Sequence, residues 1–397
     1  MTGALPTLVV HHARNGVVAL NVLTAALRAD ASTAAMTIRF AKDGDAVIDE
    51  TVAAGLRGER VVVAWSFYSP EVGEVFLELA RVKNALSERG VSALQLAGGV
   101  HASAEPRATL DAGFDLVALG EGERTLIELM NALGRGDDPA GIEGLGRLEQ
   151  GSYRSTGSGH RVALDDYPAF NVPDRKFNAI EITRGCIYAC KFCQTPFMFK
   201  AKFRHRSLES VREHVRIMRR ERLRFLRFLT PTSLSYGSDD TQPNLAAVEA
   251  LLAMSREEIG PEGKVFFGTF PSEVRPEHVT REALAILRRY VDNDNLVIGG
   301  QSGSQRVLDE SRRDHSVEDV VRAAKLCIEG GFRPNVDLLF GLPGEEDADV
   351  HASVVLMRAL ADVGARVHTH AFMPLPGTPF KDAPAGKVAP EAERELG

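Results

Sequence analysis

The sequence has little cysteine, no long apolar run and no excess of positive charge. Its 397 residues include 4 cysteines, too few for the disulfide framework of a small secreted protein. No stretch reaches the roughly 18 consecutive apolar residues of a membrane span. The N-terminus MTGALPTLVV lacks the basic region and the long apolar region of a signal peptide. We therefore expect a cytoplasmic protein with no membrane partner.

Acidic residues outnumber basic ones, with 54 Asp and Glu against 47 Lys and Arg and a net charge of -7. Such a chain has no general attraction for a polyanion. One segment, VREHVRIMRRERLRFLRF, is nevertheless rich in arginine. Its apolar residues recur at helical spacing at Val211, Val215, Met218 and Leu223. Because the arginines then occupy the other face, the segment is typical of a solvated amphipathic helix, and no nucleic acid partner is expected.

Apolar runs alternate with helical stretches in residues 1–133, a pattern that predicts a parallel sheet covered by helices. The predicted strands are Leu8–Val10, Val61–Trp65, Leu94–Ala97 and Leu116–Leu119. A helix over Val72–Arg89 fits between two of them, with apolar residues at helical spacing and Gly90 after its end. We predict an α/β fold that starts with a Rossmann-like, doubly wound domain.

The composition shifts to Gly, Ser, Asp and Pro in residues 134–176, which predicts a linker with room for a short hairpin. Six further strands alternate with helices in residues 177–382. They are Ala179–Thr183, Arg224–Leu229, Val265–Thr269, Asn295–Gly299, Asn335–Phe340 and His368–Phe372. This order predicts a partial (β/α)6 barrel, followed by a C-terminal tail or helix over residues 383–397.

Three of the 4 cysteines lie close together, at Cys186, Cys190 and Cys193. They form a CxxxCxxC array on the loop after the predicted strand Ala179–Thr183, where a loop can bend three sulfurs around one metal centre. Four-iron clusters are normally held by four thiolates, so three ligands leave one iron without a protein ligand. An open iron binds and activates a small molecule. The array therefore predicts a [4Fe-4S] cluster.

A zinc site is the main alternative for the three cysteines. Zinc knuckles usually pair two half-sites, and the fourth ligand here would have to be Cys327 or His205, for which no paired spacing exists. A disulfide framework does not suit one isolated group of thiols in a cytosolic chain. The iron-sulfur interpretation is therefore preferred.

The CxxxCxxC array, with Phe192 directly before its last cysteine, resembles that of the radical S-adenosylmethionine (SAM) superfamily. The resemblance covers roughly residues 177–380, with later motifs in the superfamily's order. The SAM-binding residues that it implies are Phe192, Thr230 after the second strand, Gln301 and Ser302 near the ribose, Arg313 near the carboxylate, Gly341 in GLPGEE and Met373 near the adenine. It also implies one-electron cleavage of SAM to a 5'-deoxyadenosyl radical, with an electron donor such as flavodoxin or ferredoxin.

The N-terminal domain resembles the cobalamin-binding domains that precede some radical SAM barrels. The residues that this resemblance places near cobalamin follow three strands and are Ser66, Tyr68, Gly98, Gly99, His101, Gly120, Glu121 and Gly122. Glycines after strands let a bulky ligand approach the backbone closely. The segment HHARNG at residues 11–16 departs from the cobalamin motif DxHxxG, because no Asp precedes it and the spacing differs by one. His11 and His12 are therefore interpreted as structural.

Two other interpretations of the N-terminal domain were weighed. A nicotinamide dinucleotide is not expected, because no GxGxxG follows the first strand. A degenerate Rossmann-like domain that only packs against the barrel stays open, since a fold does not by itself determine a ligand.

Together the two resemblances imply methyl transfer from methylcobalamin to an unactivated carbon. One alternative is a cobalamin-dependent radical rearrangement or cyclisation. A second is a methylthiotransferase, which SGSQRVLDESRR resembles, but those enzymes carry a second cluster on three further cysteines and only Cys327 is left here. A third is a non-catalytic cobalamin or iron-sulfur sensor, which damaged SAM motifs would indicate. No catalytic acid or base is predicted.

Overall fold

The computed structural model describes residues 3–13 and 16–395 and divides the chain into two compact units, Met1–Asn178 and Ala179–Gly397. Arg14 and Asn15 of the HHARNG segment, and the last two residues of the predicted tail, lie outside the described residues. Within the described part of the chain, no helix combines the length and the apolar character needed to cross a membrane.

The first unit is built on one seven-stranded sheet. Its strands are β1 (Thr7–His11), β2 (Ile38–Ala41), β3 (Val61–Ser66), β4 (Leu94–Gly98), β5 (Leu116–Ala118), β6 (Leu145–Glu149) and β7 (Ser152–Ser155). They lie in the order β2-β1-β3-β4-β5-β6-β7, with the first five parallel and the hairpin β6-β7 antiparallel at the edge. The order 2-1-3-4-5 is that of flavodoxin-like doubly wound sheets, which confirms the predicted class.

Helices cover both faces of this sheet. They are α1 (Val17–Ala29), α2 (Gly44–Leu56), α3 (Val72–Glu88), α4 (Gly99–Ala104), α5 (Pro106–Asp111) and α6 (Glu123–Arg135). One core includes residues of α2 and α3 and the other includes residues of α1 and α6. The predicted helix over Val72–Arg89 is confirmed, and its apolar positions Val75, Leu79, Val82 and Leu86 are buried. The strands β1 and β3 are consequently buried along their whole length.

The second unit has two three-stranded parallel sheets, β12-β11-β8 and β13-β14-β15, and an antiparallel pair β9-β10. The strands are β8 (Ile180–Glu181), β9 (Thr183–Arg184), β10 (Arg204–His205), β11 (Phe225–Leu229), β12 (Lys264–Phe266), β13 (Asn295–Gln301), β14 (Arg333–Phe340) and β15 (Arg366–Ala371). An isolated parallel bridge between Val274 and Ile298 joins the segment after β12 to β13. Within the described residues β8 and β15 are not paired, so the barrel is partial.

The helices of the second unit follow its strands as predicted. They are α7 (Gln194–Met198), α8 (Leu208–Arg220), α9 (Leu245–Ile259), α10 (Arg281–Tyr290), α11 (Gln305–Glu310), α12 (Val317–Glu329), α13 (Asp347–Asp362) and α14 (Pro390–Glu395). The arginine-rich helix α8 buries its predicted apolar stripe. On its other face Arg216 contacts Glu258 of α9 over 2.8 Å, and Arg212 lies 3.6 Å from the same carboxylate.

Candidate active site

The three cysteines lie on the loop between β9 and α7. Gly185 starts this loop with φ +83°, and a Cβ there would lie 2.1 Å from the carbonyl oxygen of Lys202, so only glycine fits. Cys193 directly precedes α7, and its amide donates to the carbonyl oxygen of Cys190 over 3.1 Å. Ala189 has φ +50°, a strained conformation for a residue with a Cβ. Gly185 and the hydrogen bond between Cys193 and Cys190 thus define the path of the loop.

The thiols interact with one another through their charges. Burial raises the pKa of Cys186 to about 11, and Cys190 and Cys193 act in the same direction. Burial also raises the pKa of Cys193, again with a contribution from Cys190. The raised pKa values mean that the thiolate forms are disfavoured. A cationic metal centre offsets this effect, because it binds the thiolate forms. Three neighbouring thiols are the donor set of an iron-sulfur cluster with one open iron, so these residues fit such a group.

The zinc alternative lacks a fourth ligand. Both ring nitrogens of His205 already take part in hydrogen bonds, Nδ1 with Thr183 Oγ1 over 2.9 Å and Nε2 with the Ser238 carbonyl oxygen over 2.8 Å. Cys327 is fully buried on α12, where burial raises its pKa to about 12. Among the described residues, no three Cys, His, Asp or Glu side chains are arranged to hold a single metal ion.

Arg313 links the cysteine loop to the end of β13. Its Nη1 lies 3.6 Å from Cys190 Sγ, and its Nη2 donates to the carbonyl oxygen of Gly299 over 2.7 Å. Its Nε is buried and makes no hydrogen bond within the described part of the chain. The flanking residues Arg312 and Asp314 have φ +55° and +58°. A buried guanidinium donor without a partner suits a carboxylate or another anionic ligand group.

Polar side chains meet above Gly299. A Cβ added to this glycine would lie 2.5 Å from Arg313 Nη2, 2.9 Å from Gln301 Nε2 and 3.0 Å from Glu273 Oε2. Gln301 has φ +69°, which aims its side chain back over the strand end. Glu273 was not identified from the sequence. Glu273 is an exposed residue by accessible surface. Desolvation by nearby protein atoms raises its pKa, Arg313 opposes this shift and Asp337 adds to it.

Two predicted SAM-binding residues follow β11 and β13. Thr230 is buried after β11, and its Oγ1 donates to the carbonyl oxygen of Thr232 over 3.0 Å. The hydroxyl of Thr232 is itself buried and lacks a hydrogen-bond partner in the described residues. Ser302 is buried after β13, with its Oγ 3.4 Å from Ser353 Oγ. This edge of the barrel therefore holds polar atoms that no described residue satisfies.

The other predicted SAM-binding residues lie near the cysteine loop or after the last two strands. Phe192 is half-buried against Cys190 and its neighbours. Gly341 follows β14 with φ +77°, and a Cβ there would lie 2.4 Å from the Cα of Gly386. Met373 follows β15 and is 46% exposed. The structure thus places six of the seven residues at the carboxyl ends of strands or on the cysteine loop. Arg313 lies on the loop between α11 and α12, and its guanidinium reaches back to Gly299 of β13.

A second arginine, which the sequence did not reveal, supports the cysteine loop. The Arg275 guanidinium lies 3.4 Å from the centre of the Tyr188 ring and donates to the carbonyl oxygen of Arg313. The Tyr188 hydroxyl lies 2.9 Å from His278 Nε2. Arg275 is 2% exposed. The only sequence signal for Glu273 and Arg275 is the polar SEVRP segment after β12.

In the first unit, glycines surround Ser66 at the carboxyl ends of β1, β3 and β4. A Cβ on Gly16 would lie 2.2 Å from the Ser66 carbonyl oxygen, and one on Gly99 would lie 2.9 Å from Ser66 Oγ. Both glycines have positive φ, +77° and +89°. In a sheet of this order the order of the strands along the sheet reverses between β1 and β3, and ligands of such folds bind at the carboxyl ends of the strands at this switch point. A Cβ at either glycine would overlap Ser66, so the backbone after β1 and β4 can lie this close to Ser66 only with glycine.

The other residues predicted to contact cobalamin differ in exposure. Tyr68 is 47% exposed. His101 is buried, its Nδ1 lies 3.0 Å from Ser69 Oγ, and burial lowers its pKa. Gly120 has φ +80°, and the buried Glu121 accepts a hydrogen bond from the amide of Val162 over 3.3 Å. Gly98 and Gly122 directly precede α4 and α6.

Comparison with known proteins agrees with this geometry. Residues 180–357 match the Radical SAM superfamily. This part of the chain is therefore similar to radical SAM domains, and that superfamily implies a [4Fe-4S] cluster and SAM as cofactors. The matched span begins at β8 and ends within α13, so it includes the cysteine loop and the polar residues above Gly299.

Relatives extend the likeness beyond the matched span. An uncharacterized methyltransferase of Pyrococcus horikoshii is 26% identical over 298 residues, covering 71% of this chain and 61% of that protein. A tRNA-2-methylthio-N(6)-dimethylallyladenosine synthase of Chlorobium limicola is 32% identical over 182 residues, covering 45% of this chain and 39% of that protein. The chain thus spans at most 61% of the length of these two relatives.

A solved structure shares the fold of both units. The radical SAM methyltransferase TsrM of Kitasatospora setae, with cobalamin and a [4Fe-4S] cluster bound, is similar with a TM-score of 0.70 at 20% identity. The match covers 95% of this chain and 77% of that chain. The predicted fold, a Rossmann-like domain followed by a partial radical SAM barrel, is confirmed.

Proposed function

We propose that this protein is a radical SAM enzyme that binds cobalamin on its first unit and transfers a methyl group to an unactivated carbon. The observation that carries the proposal is the convergence of Arg313, Gln301 and Glu273 above Gly299, beside Cys190. This point lies at the carboxyl ends of the barrel strands, where ligands of strand-helix folds bind.

The cysteine loop would hold the cluster through Cys186, Cys190 and Cys193. When bound there, the [4Fe-4S] cluster supplies the one-electron reduction of SAM. Radical SAM enzymes generally need a reductant, and we propose a small donor such as flavodoxin or ferredoxin. Arg275 and Tyr188 keep the loop in position through their stacking contact.

The residues of the chain orient SAM by complementary groups. The unpartnered Nε of Arg313 suits the SAM carboxylate, and the unpartnered hydroxyl of Thr232, beside Thr230, suits the amino group. Gln301 and Ser302 would hold the ribose. The backbone at Gly341 and Met373 would face the adenine. Phe192 would cover the SAM site on the side next to the cluster.

Cobalamin is proposed for the switch point of the first sheet. Gly16 and Gly99 bring the loops after β1 and β4 close to Ser66 at this point, and the similar TsrM structure contains cobalamin. His11 Nε2 lies 3.1 Å from Glu78 Oε2, and His12 Nε2 lies 2.8 Å from Asn21 Oδ1. His11 is also buried and stacks on Trp65 with ring centres 4.2 Å apart. Because His12 is hydrogen-bonded and His11 is buried between Trp65 and Glu78, we propose that neither ligates cobalt.

Methyl transfer is preferred to the alternatives on the extent of the likeness. The relative named as a methyltransferase covers 71% of this chain, whereas the methylthio synthase covers 45%. A rearrangement or cyclisation finds no support in these relatives. A sensor without turnover would not need to keep Arg313, Gln301 and Thr230 together at the strand ends.

The test is anaerobic reconstitution with iron, sulfide and cobalamin, followed by incubation with SAM and a reductant. We expect iron-sulfur and corrin absorption, together with 5'-deoxyadenosine and S-adenosylhomocysteine. Cys190→Ala should abolish 5'-deoxyadenosine, whereas the control Cys327→Ala, at a buried thiol outside the array, should retain it. Deoxyadenosine without bound corrin would mean that the first unit does not bind cobalamin. Absence of iron-sulfur absorption would refute the proposal.

A further inference from the structure

One face of the β13-β14-β15 sheet is polar. Parallel strands are normally covered on both faces and rich in Val, Ile and Leu. On β14 the buried positions are Val336, Leu338 and Phe340. The alternate positions of β14 and their register partners on β15 form what we call the inner face, namely Asn335, Asp337, Leu339, Arg366, His368 and His370. Five of these six residues are polar, so this face is suited to a polar ligand rather than to a core.

Asp337 and His368 form a pair on this face. They are register partners, and His368 Nδ1 lies 3.2 Å from Asp337 Oδ1. The carboxylate is 16% exposed and the imidazole 52%, so Asp337 is enclosed while His368 is open. A carboxylate that accepts from Nδ1–H selects the tautomer whose Nε2 carries a free lone pair. His368 therefore presents a proton acceptor to whatever occupies the inner face.

The pair lies in one row with the SAM-binding residues. Gly299 of β13 is the register partner of Asp337, and Asp337 is that of His368. Neighbouring strands are about 4.8 Å apart, so His368 stands two strand spacings from the glycine beneath Arg313 and Glu273. Glu273 also interacts with Asp337 and His370. The inner face is thus continuous with the site where SAM is proposed to bind.

The remaining groups of the inner face surround the pair. His370 Nε2 lies 3.8 Å from Asp337 Oδ1, and Arg366 is exposed on the same strand. The Oδ1 atom of Asn335 is buried without a hydrogen-bond partner in the described residues. An exposed ion pair contributes little to stability, so a structural role alone gives no reason for this arrangement.

We propose that His368, oriented by Asp337, is the base that takes a proton from the substrate, an inference that rests on the proposed function. The substrate class is a small polar molecule with an O–H or N–H group on or beside the carbon to be methylated. The O–H or N–H bond breaks, its electron pair stays on the heteroatom, and the proton binds the Nε2 lone pair of His368 and passes to solvent. The anionic heteroatom donates electron density to the neighbouring carbon, which eases removal of its hydrogen atom.

The first test needs no substrate. Nitrogen NMR of the full chain with labelled histidine, at a pH where the imidazoles are neutral, reports which ring nitrogen of each histidine carries hydrogen. We expect the Nδ1–H form for His368, assigned by its loss in His368→Gln. Asp337→Ala should convert it to the Nε2–H form, and His370→Gln should leave it unchanged. An Nε2–H form in the wild type, or no response to Asp337→Ala, would overturn the proposal.

The second test separates the base from SAM cleavage. The reconstituted enzyme is given SAM with a radiolabelled methyl group and the small-molecule fraction of the cells that produce the protein. His368→Ala should lower labelled product about a hundredfold, with recovery on addition of imidazole, while His370→Ala stays within a few-fold of wild type. Deoxyadenosine formation without the fraction should be unchanged in both variants.

The outcomes distinguish the two proposals. Labelled product at the wild-type rate from His368→Ala would overturn the assignment of the base. If the wild type makes no deoxyadenosine, the proposed function fails. The tautomer of His368 then tests separately whether Asp337 orients this imidazole.

Discussion

The sheet of the first unit and the β13-β14-β15 sheet of the second unit differ in what covers them. In the first unit β1 and β3 are buried along their length between two apolar cores. In the second unit β14 alternates between buried and half-open positions, and the open ones carry Asn335 and Asp337. A sheet that is covered on both faces meets ligands only at its strand ends, whereas a polar face meets them along its strands. This difference agrees with the two proposals, in which the first sheet holds a ligand at its strand ends and the second contacts one along its inner face.

The largest expected difference in stability is between substitution of a leucine in the first sheet and substitution of a leucine on the inner face. Leu8 of β1 is 0% exposed, and Leu339 is half-buried on the inner face. Leu8→Ala should lower the free energy of unfolding by about 2–5 kcal/mol, and Leu339→Ala by about 1 kcal/mol or less. Urea unfolding followed by fluorescence of Trp65, the single tryptophan, reports the first unit, and far-ultraviolet circular dichroism reports both. Equal losses would mean that the inner face is packed like a core.

A second contrast tests the cobalamin site that is proposed at the carboxyl ends of β1 and β3. Gly16 and Gly58 have nearly equal φ, +77° and +76°, but a Cβ on Gly16 would meet the Ser66 carbonyl oxygen and one on Gly58 would meet nothing within 4 Å. Gly58→Ala should cost about 1–2 kcal/mol of stability from backbone strain alone. Gly16→Ala should cost more and should also weaken cobalamin retention, read by gel filtration with corrin absorption. Equal behaviour of the two variants would remove Gly16 from the site.

The third contrast depends on pH. The His315 side chain is fully buried next to β13, and its Nε2 lies 3.1 Å from the Gly300 carbonyl oxygen. Burial is the main cause that lowers the pKa of His315 to about 3, and the charges of Arg313 and Arg275 act in the same direction. The unfolded chain binds this proton near pH 6.5. Stability is therefore full above about pH 6.5 and is lost as the pH falls toward 3.

Between pH 7 and pH 5 the wild type should lose about 2 kcal/mol more stability than His315→Gln. The measurement is urea unfolding of both proteins at the two pH values, followed by far-ultraviolet circular dichroism. Parallel losses would show that His315 is protonated in the folded state.

The smallest effect concerns the arginine-rich helix. Arg216 is exposed and paired with Glu258, and exposed pairs contribute about 0–1 kcal/mol. Arg216→Ala should shift the unfolding midpoint only slightly and leave deoxyadenosine formation unchanged. Tight, salt-dependent binding of the wild type to RNA, lost in this variant, would contradict the assignment of α8 as a solvated helix.

The extent to which the fold could be predicted follows the strength of local patterns. Strands β3 and β14 are long apolar or alternating runs, and both were predicted within two residues. Strand β2 was missed because it is four residues long and contains Arg39. Strand β12 ends earlier than predicted, because the amide of Phe267 bonds to Asn293 Oδ1 over 3.1 Å and Gly268 turns the chain with φ +72°.

The site was predictable only where residues stand in a motif. The three cysteines and Arg313 belong to segments that resemble a family, and the structure brings Arg313 to Cys190. Glu273, Asp337 and His368 are single polar residues in separate strands or loops. The register of β13, β14 and β15 puts Asp337 and His368 in one row with Gly299, and Glu273 reaches Gly299 from the loop after β12. No local pattern contains that register.

The stacking of Arg275 on Tyr188 has a consequence for substitutions remote from the cysteines in sequence. Arg275 also donates to the Arg313 carbonyl oxygen, so one buried side chain contacts both the cysteine loop and the segment that carries Arg313. A change at this one position would therefore disturb two separate parts of the proposed site at once.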